Sequence, residues 1–107
     1  MTGYDFHPEA RDDLDEIWEY IGADNLAAAD RVIAEILSAI RVLVPFPHQG
    51  HKRPDLTARP LRFTLVYEYL IAYAPKEKPL WVIAVLHGRR DPNVLAAILK
   101  DREKEVV

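Results

Sequence analysis

The sequence predicts an α+β fold, an antiparallel sheet with a helical hairpin on one face: an N-terminal strand, an antiparallel two-helix hairpin, a three-stranded antiparallel meander and a short C-terminal helix. Two observations lead there. Apolar residues recur at helical spacing through residues 14–44 and at strand spacing from Leu61 onward. Between these regimes lies a stretch holding Pro45, Pro47, Pro54, Pro60 and Gly50. It reads as a loop rather than a linker between domains, because neither flank is self-sufficient.

The elements follow in order. Residues 3–7 are short and mixed, as expected of an edge strand. Pro8 suits a first helical turn, where its missing N–H forfeits nothing. Glu9, Asp12, Asp13, Asp15 and Glu16 complement the positive end of the helix dipole and read as a solvated face. Leu14, Ile17, Trp18 and Ile21 form the apolar stripe, with Trp18 as a core aromatic, and Gly22 is expected to stop the helix. Asp24 or Asn25 caps a second helix, whose stripe runs from Leu26 through Val32 and Ile36 to Val44 before Pro45 ends it. The short connection predicts an antiparallel hairpin. Leu61, Phe63 and Leu65 alternate with Arg62 and Thr64 as in a strand. Val66, Tyr67 and Glu68 form the reversal, and residues 69–74 return. Residues 75–79 make a second turn. The near-continuous apolar run 80–86 is expected in the centre of the sheet, covered on both faces. A short helix is expected over residues 94–99, with residues 100–107 frayed.

The 107 residues suit a single domain over 1–107, with its core at about residues 4–99. There is no cysteine, so neither disulfides nor thiolate chemistry are available. No run approaches the roughly 20 apolar residues of a membrane span, and no basic-then-apolar leader opens the chain, so a soluble cytoplasmic protein is expected. The net charge of −3 is split: residues 1–44 carry 10 acidic and 3 basic side chains, residues 45–94 carry 4 acidic and 8 basic. A weakly acidic whole argues against general or sequence-specific DNA binding. The basic second half favours an acidic partner surface.

The sharpest local feature is the strand 80–86 discharging into His87-Gly88-Arg89-Arg90-Asp91. Strand ends beside loops are where binding groups tend to sit. His48, His51 and Asp55 fit no established metal spacing, so no metal site and no cofactor are expected.

Several ordered motifs resemble one family. His7-Pro8-Glu9-Ala10, Asp13-Leu14 and Glu16-Ile17-Trp18-Glu19-Tyr20-Ile21 resemble its first helix, and Asn25 with Ala27-Ala28-Ala29-Asp30-Arg31 the start of its second. Phe46-Pro47, Gly50 and Arg53-Pro54-Asp55-Leu56 resemble its loop. Leu61-Arg62, Tyr69-Leu70-Ile71, Tyr73 and Val85-Leu86-His87-Gly88-Arg89-Arg90-Asp91 resemble its sheet. The chain is similar, over roughly residues 4–99, to the ParE branch of the RelE/ParE toxins of bacterial type II toxin–antitoxin modules. The resemblance implies a toxin held in a hetero-oligomer by a cognate antitoxin of ParD-like or other ribbon-helix-helix type. ParE-like members are associated with DNA gyrase poisoning, which asks for no catalytic group in the toxin. RelE-like members cut mRNA, which asks for an acid, a base and cations around the scissile phosphate. Where RelE-like chains carry arginines on the hairpin, this chain shows Phe63, Leu65 and Leu70, and no tyrosine follows Tyr73. Gyrase inhibition by a non-enzymatic protein is therefore expected, with Arg89, Arg90, His87 and Arg62 as target-binding residues. The alternatives are a metal-independent endoribonuclease built on Arg62, His87 and Arg89, or an inactive relic serving in a repressor complex. Trp18, Val32 and Ile36 are the expected antitoxin anchors, in the groove between helical hairpin and sheet.

Overall fold

Local chemistry at residues 7 and 8 starts the first helix. The structure, a computed structural model, describes residues 3–103. Strand β1 (Tyr4–Phe6) passes through His7 into helix α1 (Pro8–Gly22). His7 is buried, and its Nδ1 accepts the Glu9 N–H at 3.0 Å, capping a helix that Pro8 then enters without losing a bond. Ala10, Asp13 and Ile17 face inward. Trp18 does not: it is 40% exposed, with its indole N–H donating to Asp30 Oδ1 at 2.9 Å. The reading of Trp18 as a core aromatic is thereby corrected, because its ring spans the outer seam of the hairpin.

Gly22 is not a left-handed stop either. Ala23 continues at φ −58°, and the N–H groups of Asp24 and Asn25 still reach Ile21. What the glycine provides is proximity, since a Cβ there would lie 3.2 Å from Leu26 Cδ2. Asn25 then caps helix α2 (Leu26–Leu43), its Oδ1 accepting the Ala28 N–H at 3.0 Å. Ile36 and Ile40 are fully buried. Each contributes about 1.5–3 kcal/mol through removal of its side chain from water.

The loop after α2 is held by the sheet. His51 exchanges both backbone hydrogen bonds with Phe63 at 2.8 Å. The buried Tyr73 hydroxyl donates to Pro47 O at 2.8 Å and accepts the Gly50 N–H at 3.0 Å. A Cβ on Gly50 would sit 2.5 Å from that hydroxyl, so only glycine fits.

Strands β2 (Arg62–Val66), β3 (Tyr69–Ala74) and β4 (Leu80–His87) form the expected meander, turning at Tyr67-Glu68 and at residues 75–79. The sheet order is β1-β4-β3-β2, so β4 is internal. One expectation is corrected: the sheet is mixed rather than antiparallel, because β1 runs parallel to β4, with Tyr4 opposite Leu80 and Phe6 opposite Val82. The two-helix connection carries the chain over one face and back to the same end. Ala72 lies opposite Ala84 while Tyr73 lies opposite Val82, so Ile83 is the extra residue of a bulge.

Both faces of the sheet are covered. Helices α1 and α2 bury Ile71, Val82 and Val85 on one side. On the other, Leu56 of the loop and Leu95 and Leu99 of helix α3 (Pro92–Glu103) bury Phe63, Ile83 and Leu86. Helix α3 is longer than the expected residues 94–99, and fraying from Lys100 is corrected for residues 100–103. Arg102 follows Leu95 and Leu99 at helical spacing and is itself buried. The rest of the expected frayed segment, residues 104–107, lies outside the described residues. No helix among the described residues is long and apolar enough to cross a membrane.

Candidate functional site

Strand β1 is shorter than its neighbour, and that difference creates the site. Its pairing ends where the His7 N–H donates to Val82 O at 2.8 Å. Beyond this point β4 continues to His87 with no strand beside it on that edge among the described residues. Side chains take the place of the missing strand. Asp13 Oδ2 accepts the Val85 N–H at 3.0 Å, and Arg102 Nη1 donates to Ile83 O at 3.0 Å. The two side chains also grip each other, with Nη1 2.6 Å from Oδ2 and Nη2 2.9 Å from Oδ1. Arg102 Nε adds Glu9 Oε2 at 3.0 Å. Burial alone pushes the Arg102 guanidinium toward losing its proton. The carboxylates of Asp13 and Glu9 outweigh that and hold it above its ordinary range.

Asp13 and Arg102 were not legible as functional side chains. The sequence reading placed Asp13 on a solvated face, yet it is 7% exposed, as is Arg102. The available signal was its place on the inward row between Ala10 and Ile17. A carboxylate there requires a cation, and that cation is 89 positions away.

Around the bare half of β4 lies an open cleft of about 1020 Å³. Its floor is Ile17, Val85, Leu86 and Ile98. Asp12 and Glu16 of α1 and Asp101 of α3 make one wall acidic, while Arg89 and Arg90 bring positive charge to the end of β4 beside His87.

His87 and Arg89 are held by one carboxylate, Glu68 of the β2–β3 turn. Its Oε2 lies 3.1 Å from His87 Nε2, and its Oε1 lies 3.1 Å from Arg89. His87 Nδ1 accepts the Arg89 backbone N–H at 3.3 Å, which leaves Nε2 to carry the ring proton toward Glu68. The Gly88 N–H donates to Glu68 O at 2.7 Å, and Tyr69 meets the His87 ring edge-on at 5.7 Å. Asp91 caps α3, its Oδ1 accepting the Asn93 N–H at 2.8 Å. Arg89 pairs with the turn and not with the helical hairpin. Arg89 and Arg90 both remain exposed.

Of the four expected target-binding residues, the structure brings His87, Arg89 and Arg90 together and leaves Arg62 out. Arg62 lies opposite Tyr73 at the other end of β2, its Nη1 donating to Gly50 O at 2.8 Å. Four residues of strand, roughly 13 Å, separate it from Val66 at the hairpin end. The set Arg62, His87 and Arg89 therefore does not form a compact centre. Of the expected antitoxin anchors, Trp18 presents part of its ring and Val32 is partly buried. Ile36 is 0% exposed and offers a partner no surface, which corrects its assignment. Among the described residues no group of three or more His, Cys, Asp or Glu is placed to hold a metal ion.

Comparison with known proteins adds one finding. Residues 4–92 match the family model described as ParE toxin of type II toxin-antitoxin system, parDE. The match runs from β1 to the first residue of α3, leaving Arg102 beyond it. No curated protein matches the chain.

Proposed function

Since the chain belongs to the ParE toxin family, we propose that it acts in the cytoplasm as a gyrase-directed toxin that a cognate antitoxin neutralises. The observation that carries this reading is the state of the cationic loop. Glu68 fixes its backbone and two of its side chains, yet Arg89 is left 79% exposed and Arg90 exposed beside it. A solvent-facing pair of guanidinium groups, one of them held by Glu68, suits docking onto an acidic protein surface, where charge complementarity speeds encounter and fixes register. Gyrase performs its own DNA cutting, so the toxin in this reading supplies contacts and no catalytic group. The separation of Arg62 from His87 and Arg89 weighs against the endoribonuclease alternative, which needs its cations around one phosphate. In the same reading, a ribbon-helix-helix antitoxin forms a hetero-oligomer with the toxin and uses Trp18 and Val32 among its contacts.

The test is expression of the chain without its antitoxin, followed by inspection of plasmid DNA and mRNA ends. Gyrase-dependent linear plasmid with intact mRNA is expected, and co-expression of the neighbouring antitoxin frame restores growth. Specific mRNA cuts with normal DNA overturn the gyrase reading, and absence of any growth defect favours the relic.

A further inference from the structure

The β2–β3 turn holds an aromatic residue where the backbone favours glycine. Tyr67 is the first central residue of the two-residue turn and has φ 55°; among the described residues it is the only non-glycine with positive φ. Positive φ at the first central position alone follows the type II′ pattern, in which glycine is the usual occupant. A bulky side chain there carries backbone strain, which persists only when something else requires the residue.

The fold does not supply that requirement. Tyr67 is 57% exposed. Its hydroxyl meets the Glu35 carboxylate of α2, with Arg31 nearby, and that hydrogen bond holds the phenol above its ordinary range. A solvent-facing bond of this kind returns little stability. Leu65, on the opposite face of the hairpin, is 63% exposed. It packs toward Gly88, and Glu68 ties the tip to His87 and Arg89. One protruding corner thus presents Tyr, Leu and Arg together. Tyr and Arg are prominent among the residues that dominate protein–protein binding energy, and tyrosine supplies a large contact area with few rotatable bonds.

We propose that the β2–β3 tip is a plug, with Tyr67 and Leu65 entering an apolar recess on the protein target and Arg89 meeting a carboxylate on its rim. The charge complementarity follows from Arg89, which Glu68 ties to the tip and which is 79% exposed. The inference rests on the gyrase reading and adds a contact that the cationic loop alone does not provide.

The test separates the ring from the fold. Tyr67→Gly and Tyr67→Asn both suit positive φ and remove the ring. Each purified variant is assayed for thermal unfolding, for binding to immobilised gyrase and for binding to the antitoxin. The expected result is an unfolding midpoint no lower than that of the parent, antitoxin binding kept, and gyrase binding weakened at least tenfold. Leu65→Thr is expected to weaken gyrase binding in the same direction. Variants that hold gyrase as well as the parent overturn the plug while leaving the gyrase reading intact. Loss of antitoxin binding with gyrase binding kept overturns it as well, as does a marked fall in unfolding midpoint for both variants. A parent protein that does not bind gyrase at all overturns the underlying reading, and the plug on gyrase with it.

Discussion

Arg102 and Arg89 make the same contact in opposite surroundings. Each places a guanidinium nitrogen within about 3 Å of a carboxylate, at 2.6 Å for Arg102 with Asp13 and 3.1 Å for Arg89 with Glu68. The Arg102 side chain is 8% exposed and that of Arg89 is 79% exposed. Distance alone therefore says little about energy. The buried pair also satisfies two backbone groups of β4: loss of Arg102 alone strands Ile83 O and the Asp13 carboxylate, and loss of both side chains strands Ile83 O and the Val85 N–H. The exposed pair competes with water at every atom. One arginine holds the fold together, and the other leaves its charge available to a partner.

The largest expected effect tests the buried side. Arg102→Ala leaves Asp13 uncompensated and is expected to lower stability by about 3–5 kcal/mol, read by denaturant unfolding. The double replacement Asp13→Leu with Arg102→Met is expected to recover much of that loss, because an apolar pair needs no desolvated charge. No recovery indicates that the two bonds to β4 matter more than the charge. Next comes Ile36→Ala, expected to cost about 2–5 kcal/mol of monomer stability through cavity formation. A weakened antitoxin complex with unchanged monomer stability contradicts that placement.

Tyr73→Phe is smaller, about 1–3 kcal/mol, since it strands the Gly50 N–H and Pro47 O that the hydroxyl satisfies. It also carries a pH signature. Burial pushes the Tyr73 phenol above its ordinary range, against lesser opposing effects of the Gly50 N–H and Arg62. A phenol raised on folding stabilises fully below its unfolded value of about 10. That contribution is lost as pH rises through the higher folded value. Unfolding measured from neutral pH upward is expected to show an alkaline decline in the parent that is shallower in the variant. The smallest effect belongs to the exposed side. Arg89→Ala with Arg90→Ala is expected to change stability by no more than about 1 kcal/mol while abolishing toxicity in a growth assay. If the double variant unfolds, the comparison between the two arginines fails.

How much of this was legible follows from the range of each signal. The helices were readable because their apolar residues recur within single turns, and Asn25 caps α2 through a contact three residues away. The turn at Tyr67-Glu68 was readable from the pattern of its flanks. The orientation of β1 was not, since three residues paired with a strand more than seventy positions later carry no directional mark. The candidate site was half legible. His87, Arg89 and Arg90 lie together in the sequence and in space. Arg62 shared their charge but not their end of the strand. Glu68, which organises the loop, read only as part of a reversal. Trp18 fitted the apolar stripe by spacing, but its indole N–H found Asp30 across the outer seam of the helices.

The side-chain cap on β4 bears on the order in which the chain is made. Helix α3 follows β4 in the sequence, so the sheet is synthesised before Arg102 is available to cover Ile83 O. Until then the outer edge of β4 is a strand with unpaired groups, the feature through which sheets of separate molecules join. A chain cut before Arg102 is expected to self-associate rather than remain a less stable monomer, with β-rich aggregates growing from that edge. In that case the last turn of α3 guards the sheet edge against aggregation.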